Sequence, residues 1–142
     1  MIVLDTNVVS ELMRHAPEPA VVSWVDGFSA ADVVLTVVTA AELMCGVARL
    51  PEGSRKRELH TKVEGLLTED FRDQILPFDA QAATHYGEIV AAREQIGRPI
   101  SMADAQIAAI CRCWSAGLGT RNVDDFADTG IDAVNPWATA TS

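Results

Sequence analysis

The segment Ile2-Val3-Leu4-Asp5-Thr6-Asn7 sets the reading of the whole chain: three apolar residues run straight into an acid, a hydroxyl and an amide. A short apolar run stopped by residues that favour turns and caps reads as a buried strand followed by a turn or helix start. Outward from it, Val9, Leu12 and Met13 recur at helical spacing, and Pro17 and Pro19 bracket a break. Val21, Trp24, Val25 and Phe28 form the stripe of an amphipathic helix. Val33–Val38 is apolar and mostly β-branched and predicts a second strand. Thr39-Ala40-Ala41-Glu42 matches a capping box and opens a helix with Leu43, Val47 and Leu50 on its stripe, ended by Pro51 and Gly53. Leu59, Val63, Leu66, Leu67 and Phe71 give a long helical stripe from about Arg55. Ile75–Phe78 predicts a third strand, and Asp79 caps a helix carrying Ala82, Tyr86, Ile89 and Val90 that stops near Gly97-Arg98-Pro99. Ser101-Met102-Ala103-Asp104 is a second capping-box-like start; its helix buries Ala103, Ile107, Ile110, Cys111 and Trp114 and stops at Gly117. Leu118–Thr120 and Ile131–Val134, closed by Pro136, supply the last strands. Strands alternating with helices predict βαβ units and an α/β fold with a mostly parallel sheet. With no repeat, linker or low-complexity segment, residues 1-142 are expected to form one domain.

The chain has 142 residues, 49% hydrophobic and 22% charged, the balance of a globular protein long enough to bury a core without staples. No apolar run approaches the roughly 18 residues of a membrane span. Met1–Leu12 lacks a basic n-region and meets an acid at Asp5, unlike a secretory signal. Eleven Lys and Arg against 20 Asp and Glu leave a net charge of −9. Such a field repels phosphate backbones unless a local cation reverses it. Three cysteines, Cys45, Cys111 and Cys113, are an odd number in a signal-less chain and predict a reduced, cytoplasmic protein without a disulfide framework.

In open parallel sheets, ligands bind beyond the carboxyl ends of the strands. Asp5 directly follows the first strand, Glu42 lies in the first turn of the helix after the second, and Asp104 in the first turn of the helix before the fourth. Asn122, Asp124 and Asp125 follow that fourth strand. Taken singly, each acid has a local use as a turn or cap residue. Together they repel one another unless a cation shares them, which predicts a hard divalent ion with oxygen ligands. Zinc is disfavoured: His15, His60 and His85 are scattered, and Cys111 and Cys113 do not face each other on a helix. GxGxxG, GxxxxGK[ST] and GxSxG are absent. Ser54-Arg55-Lys56-Arg57 reads as a solvated helix start or, alternatively, as an RNA-backbone contact. Arg121 stands beside the acid-rich segment, where it either meets a phosphate or pairs with an acid. Trp24 and Trp114 lie on helical stripes and are expected in the core; Trp137 either packs the last strand or faces a partner.

Five segments then carry a likeness, in order: LDTNVVSEL (Leu4–Leu12), TAAELMCGV (Thr39–Val47), SMADAQIAA (Ser101–Ala109), TRNVDDF (Thr120–Phe126) and VNPW (Val134–Trp137). The chain resembles the PIN-domain ribonucleases, in particular the toxins of VapBC-type toxin–antitoxin pairs and their FitB-like relatives. The resemblance implies a PIN-like three-layer sandwich with a central parallel sheet of about five strands flanked by helices. It implies an Mg²⁺- or Mn²⁺-dependent endoribonuclease that acts on RNA, forms a homodimer and is blocked by a cognate antitoxin protein. Asp5, Glu42 and Asp104 match the three core acids of the family. The fourth falls in the Thr120–Phe126 segment: close relatives have it where this chain has Asn122, and other members have it where this chain has Asp125. The implied metal set is therefore Asp5, Glu42 and Asp104 with Asn122 or Asp125, the carboxylates also serving catalysis. Thr6, Asn7, Thr120 and Arg121 would position ligands or phosphate. Two other functions compete. A non-catalytic binding module finds its best support in Asn122. A phosphatase with Asp5 as nucleophile lacks its second acid, because Asn7 stands there, and no lysine partner follows.

Overall fold

Ile2, Val3 and Leu4 are all buried, yet they serve two different layers. Alternate side chains of a strand point to opposite faces. Ile2 and Leu4 pack with Val8, Val21, Val33 and Leu35, while Val3 joins Val34, Ile107, Ile110 and Leu118. In the computed structural model, which describes residues 1–138, this strand, β1 (Ile2–Leu4), is the centre of the sheet. β2 (Val33–Thr36), β3 (Ile75–Leu76), β4 (Gly117–Gly119) and β5 (Ala133–Val134) complete it in the order β3-β2-β1-β4-β5, every neighbouring pair parallel. α1 (Thr6–Leu12), α2 (Pro19–Asp26) and α4 (Ser54–Gly65) cover one face; α5 (Ala80–Gln95) and α6 (Met102–Trp114) cover the other. α3 (Val37–Ala48) gives Leu43 and Val47 to the first layer and leans Val38 on the second. This is the expected three-layer α/β sandwich, with helices on both faces of a parallel sheet.

Several boundaries differ from the sequence reading. β2 ends at Thr36 instead of Val38. The Thr36 hydroxyl accepts the N–H of Thr39 at 3.2 Å, so Thr36 caps α3 and Val37 is already helical. Thr39 is therefore not a cap, and the Thr39–Glu42 capping box does not form; Glu42 is left to face elsewhere. β3, β4 and β5 are shorter than or shifted from the expected strands, and the stripe beyond Gly65 continues as a single π turn, Leu66–Asp70. α6 stops at Ser115, in a left-handed conformation (φ 50°), before Gly117 is reached. Trp114 is 50% exposed, a correction to its expected burial. The buried side of α6 is lined by Ala105, Ala108 and Ala109 with Ile107 and Ile110, and a bulky ring in its last turn is left at the surface. Cys111 is buried as expected, and burial pushes its thiol up to about 12.

Trp24 is half-buried, and its ring lies over Gly119. A Cβ at Gly119 would stand 2.6 Å from Trp24 Cη2, closer than carbon atoms approach without displacement. Gly119→Ala is expected to lower stability in a urea melt by about 1–3 kcal/mol. Combined with Trp24→Leu it should cost less than the two single changes added together; strictly additive costs would refute the contact.

Candidate metal centre

β2 and β3 lie to one side of β1, and β4 and β5 to the other. The strand order thus reverses between β1 and β4, and the crevice outside the carboxyl ends at such a point is where open α/β sheets bind ligands. Asp5 leaves β1 at this crevice and Thr120 leaves β4. The Asp5 N–H donates to Gly119 O at 2.9 Å, continuing the ladder by one residue. Asp5 Oδ1 then accepts the N–H of Thr6 at 2.8 Å as the cap of α1, and Oδ2 accepts the Thr120 hydroxyl at 2.7 Å.

The remaining predicted residues are placed around this pair. The Thr6 hydroxyl donates to Glu42 Oε1 at 2.7 Å and lies 3.2 Å from the Thr39 hydroxyl, which ties the start of α3 to the start of α1. Asn7 Oδ1 accepts the N–H of Arg121 at 3.2 Å, and Thr120 Oγ1 accepts the N–H of Asn122 at 3.1 Å. These bonds fix the segment after β4 against α1. Asp104 keeps part of its local use, since its N–H donates to the cap residue Ser101 at 3.2 Å. Asp125 lies on a short 3₁₀ turn, Val123–Phe126.

Electrostatics show which acids share a field. Asp5 is 6% exposed. Its carboxyl is raised above the ordinary range, first by burial, against the opposing bonds from Thr120 and Thr6, and then by the charges of Glu42 and Asp125. Half-buried Asp104 is raised too, first by burial, with Ser101 opposing, and then by Asp5, Asp125 and Glu42. The charges of Glu42 and Asp125 thus reach both Asp5 and Asp104. Asn122 is exposed, and its side chain caps nothing. Asp125 carries a charge that reaches both Asp5 and Asp104, and neutral Asn122 carries none.

The four groups are all carboxylates, a donor set suited to a hard cation. Among the described residues, no three Asp, Glu, His or Cys side chains form a ready-made metal cage.

The sequence of this chain matches the PIN domain over residues 2–130. The chain belongs to the PIN-domain family. VapC ribonuclease Y4jK of Sinorhizobium fredii is 36% identical to it over 140 residues, which is 99% of this chain and 100% of that protein. Toxin FitB of Neisseria gonorrhoeae is 39% identical over 137 residues, covering 96% and 99% of the two chains. The fold superposes on the structure of FitAB bound to IR36 DNA fragment with a TM-score of 0.90, at 39% identity and 96% coverage of each chain. In this PIN domain no described helix is long and apolar enough to cross a membrane.

Two features of the PIN site escaped the sequence reading. Glu11 is buried and accepts the N–H of Glu18 at 3.0 Å and Arg14 Nη1 at 3.1 and 3.2 Å, which stitches α1 to α2. The Glu18 bond, ahead of Arg14, holds its carboxyl below the usual range. Arg93 of α5 is 4% exposed and donates to Arg98 O (2.7 Å), Asp125 O and Ala127 O (both 2.9 Å). It therefore props the turn that carries Asp125. Neither role has a local signature: a helical Glu and a helical Arg are ordinarily surface residues.

Proposed function

We propose that this chain is a divalent-metal-dependent endoribonuclease, the toxin of a toxin–antitoxin pair, hydrolysing RNA phosphodiester bonds. The observation that carries this reading is the common field of Asp5, Glu42, Asp104 and Asp125 at the switch point of the sheet. Relatives named as a ribonuclease and a toxin support it along nearly the whole chain. Asp5, Glu42, Asp104 and Asp125 would hold Mg²⁺ or Mn²⁺, directly or through water. The bound cation supplies positive charge for the scissile phosphate and for the oxyanions that develop on it.

The chain's own residues do the rest. Thr120 and the Thr6 N–H fix the Asp5 carboxylate, and the Thr6 hydroxyl fixes Glu42. Such outer hydrogen bonds orient ligands and tune their basicity. Asp104, with its raised affinity for a proton, orients the attacking water and accepts its proton. Asn7 holds the main chain of Arg121, so that the arginine stays beside the cleft. As partner we propose an antitoxin protein. FitAB, which this fold matches, is DNA-bound. A chain of net charge −9 is poorly suited to grip DNA by itself, so here the antitoxin would make that contact.

The test is incubation of the purified protein with RNA beside an Asp104→Asn preparation made in parallel. Wild type should cleave with Mg²⁺ or Mn²⁺, stop in EDTA and recover with excess metal, while the variant stays inactive throughout. Cleavage that persists in EDTA would remove the metal-dependent reading.

A further inference from the structure

Arg121 leaves the sheet at the edge that gathers the acids, yet among the described residues it forms no ion pair. Arg14, Lys56, Arg98 and Arg112 each take a carboxylate within 4 Å. The Arg121 guanidinium instead lies 4.7 Å from the centroid of the Trp137 ring. Exposed Arg49, Arg55, Arg57, Lys62 and Arg72 take no carboxylate within 4 Å either, and the Arg121 charge helps to hold the Glu11 carboxyl low. What sets Arg121 apart is a head stacked on an indole beside the acid-rich turn.

Both ends of this arginine are fixed. Its main-chain N–H donates to Asn7 Oδ1, and its head stacks on the indole. The indole is held in turn: the Trp137 N–H donates to Asn135 Oδ1 at 2.9 Å, and its side chain packs against the apolar layer under α1 and α2. Stacking occupies one face of a guanidinium and leaves its rim of N–H donors free for a planar or tetrahedral anion. Beside it, a cavity of about 520 Å³ is lined by Arg121, Asn122, Val123, Asp124, Asp125 and Asn135, and so joins the arginine to the turn that carries the fourth acid.

We propose that Arg121 and Trp137 form a clamp for an RNA phosphate next to the scissile one, and that the cavity receives the adjoining nucleotide. Arg121 contacts the phosphate; Trp137 is a positioning residue that pre-orders the guanidinium and so spares the rotamer entropy otherwise lost on binding. This rests on the ribonuclease reading and adds to it a direction for the bound strand, towards β5 and the segment after it.

The test compares full-length wild type, Arg121→Gln, Trp137→Leu and Trp137→Phe. Binding of a short single-stranded RNA is measured with Ca²⁺ across a salt series, kcat and KM with Mg²⁺, and the thermal midpoint of each protein. Arg121→Gln should raise KM about 10-fold and flatten the slope of log affinity against log salt by about 0.7, the value of one phosphate contact on a single strand. Trp137→Leu keeps the charge, so it should raise KM about 5-fold at an unchanged slope, and Trp137→Phe should restore most of that loss. In all three variants kcat should stay within about 2-fold of wild type, since neither residue meets the reacting atoms. An unchanged slope in Arg121→Gln overturns the proposal. So does a Trp137→Leu protein that loses thermal stability at an unaltered KM, since the indole would then only pack the apolar layer. Unchanged RNA binding with lost affinity for polyglutamate would assign Arg121 to an acidic protein partner, which also overturns it. A wild type that neither binds nor cleaves RNA overturns the ribonuclease reading as well, and is distinguishable because it needs no variant.

Discussion

Asp5→Asn is expected to reduce RNA cleavage by about 10³-fold or more and, in the absence of metal, to make the protein more stable. The first effect follows from removing the most buried of the four carboxylates, on which several kcal/mol of transition-state stabilisation would depend. The second follows from the folded state's own electrostatics. Burial and the charges of Glu42 and Asp125 raise the Asp5 carboxyl above its ordinary value, so at neutral pH the ionised group works against folding. An isosteric amide removes that penalty. It strands the proton of the Thr120 hydroxyl, a smaller cost, and the net gain expected is about 1 kcal/mol, or roughly 3–6 °C. The pH dependence has a definite sign. A raised carboxyl binds its proton more tightly in the folded than in the unfolded chain, so its penalty is present above the folded value and fades as pH falls through it. The stability gap between Asp5→Asn and wild type should therefore be widest at neutral pH and close in mild acid. Glu11, held low by Glu18 and Arg14, runs the other way and loses its contribution as pH falls, but it does so in both proteins and cancels in the difference. Thermal melts in EDTA at the two pH values, repeated with Mn²⁺ at neutral pH, check this. Mn²⁺ should raise the midpoint of wild type well above its effect on the variant. A variant that is less stable in EDTA at neutral pH, or equally stabilised by Mn²⁺, would contradict the shared-cation account.

How much of this was legible in the chain depends on the range of each interaction. Ile2–Leu4 and Val33–Leu35 read as strands because both of their faces are covered, so hydrophobicity is continuous there, and that alone implied helices on both sides. Asp5 and Asp104 stand out in the sequence because one follows a strand and the other opens a helix; Glu42 was expected in the first turn of α3 but lies in its second, because the helix starts at Val37. The cap of α3 was misplaced because Thr36 and Thr39 both precede an apolar run, and β-branched Val37 and Val38 favour a strand; only the Thr36 hydroxyl on the Thr39 N–H decides it. Trp114 was misjudged because periodicity reports a stripe and not how far the covering layer reaches. Where Asp125 stands depends on a 3₁₀ turn, Val123–Phe126, and the Asp125 carbonyl in that turn is held by an arginine 32 residues away.

That arginine carries the second large expectation. Arg93→Met should cost about 2–4 kcal/mol of folding stability and also weaken catalysis. The guanidinium is buried, and its hydrogen bonds go to three main-chain carbonyls, those of Arg98, Asp125 and Ala127. Removing it relieves the cost of burying a charge but takes the donor from three part-buried carbonyls, each worth about 1–3 kcal/mol where water does not replace it. Arg93→Lys keeps the charge yet replaces a planar fork by a single ammonium, which cannot serve carbonyls of separate chain segments at once, so an intermediate loss is expected. Because the Asp125 carbonyl is one of the three, the turn bearing the fourth acid should drift when the prop is lost. Mn²⁺ affinity and kcat are then expected to fall about 10–100-fold, the usual cost of losing a group that orients a ligand. Urea melts give the stability; Mn²⁺ titration and kcat, both taken well below the variant's thermal midpoint, give the rest. If Arg93→Met melts early but binds Mn²⁺ and turns over as wild type does, the buried guanidinium supports the fold alone, and the position of Asp125 is set by Asn122 and its neighbours within the turn.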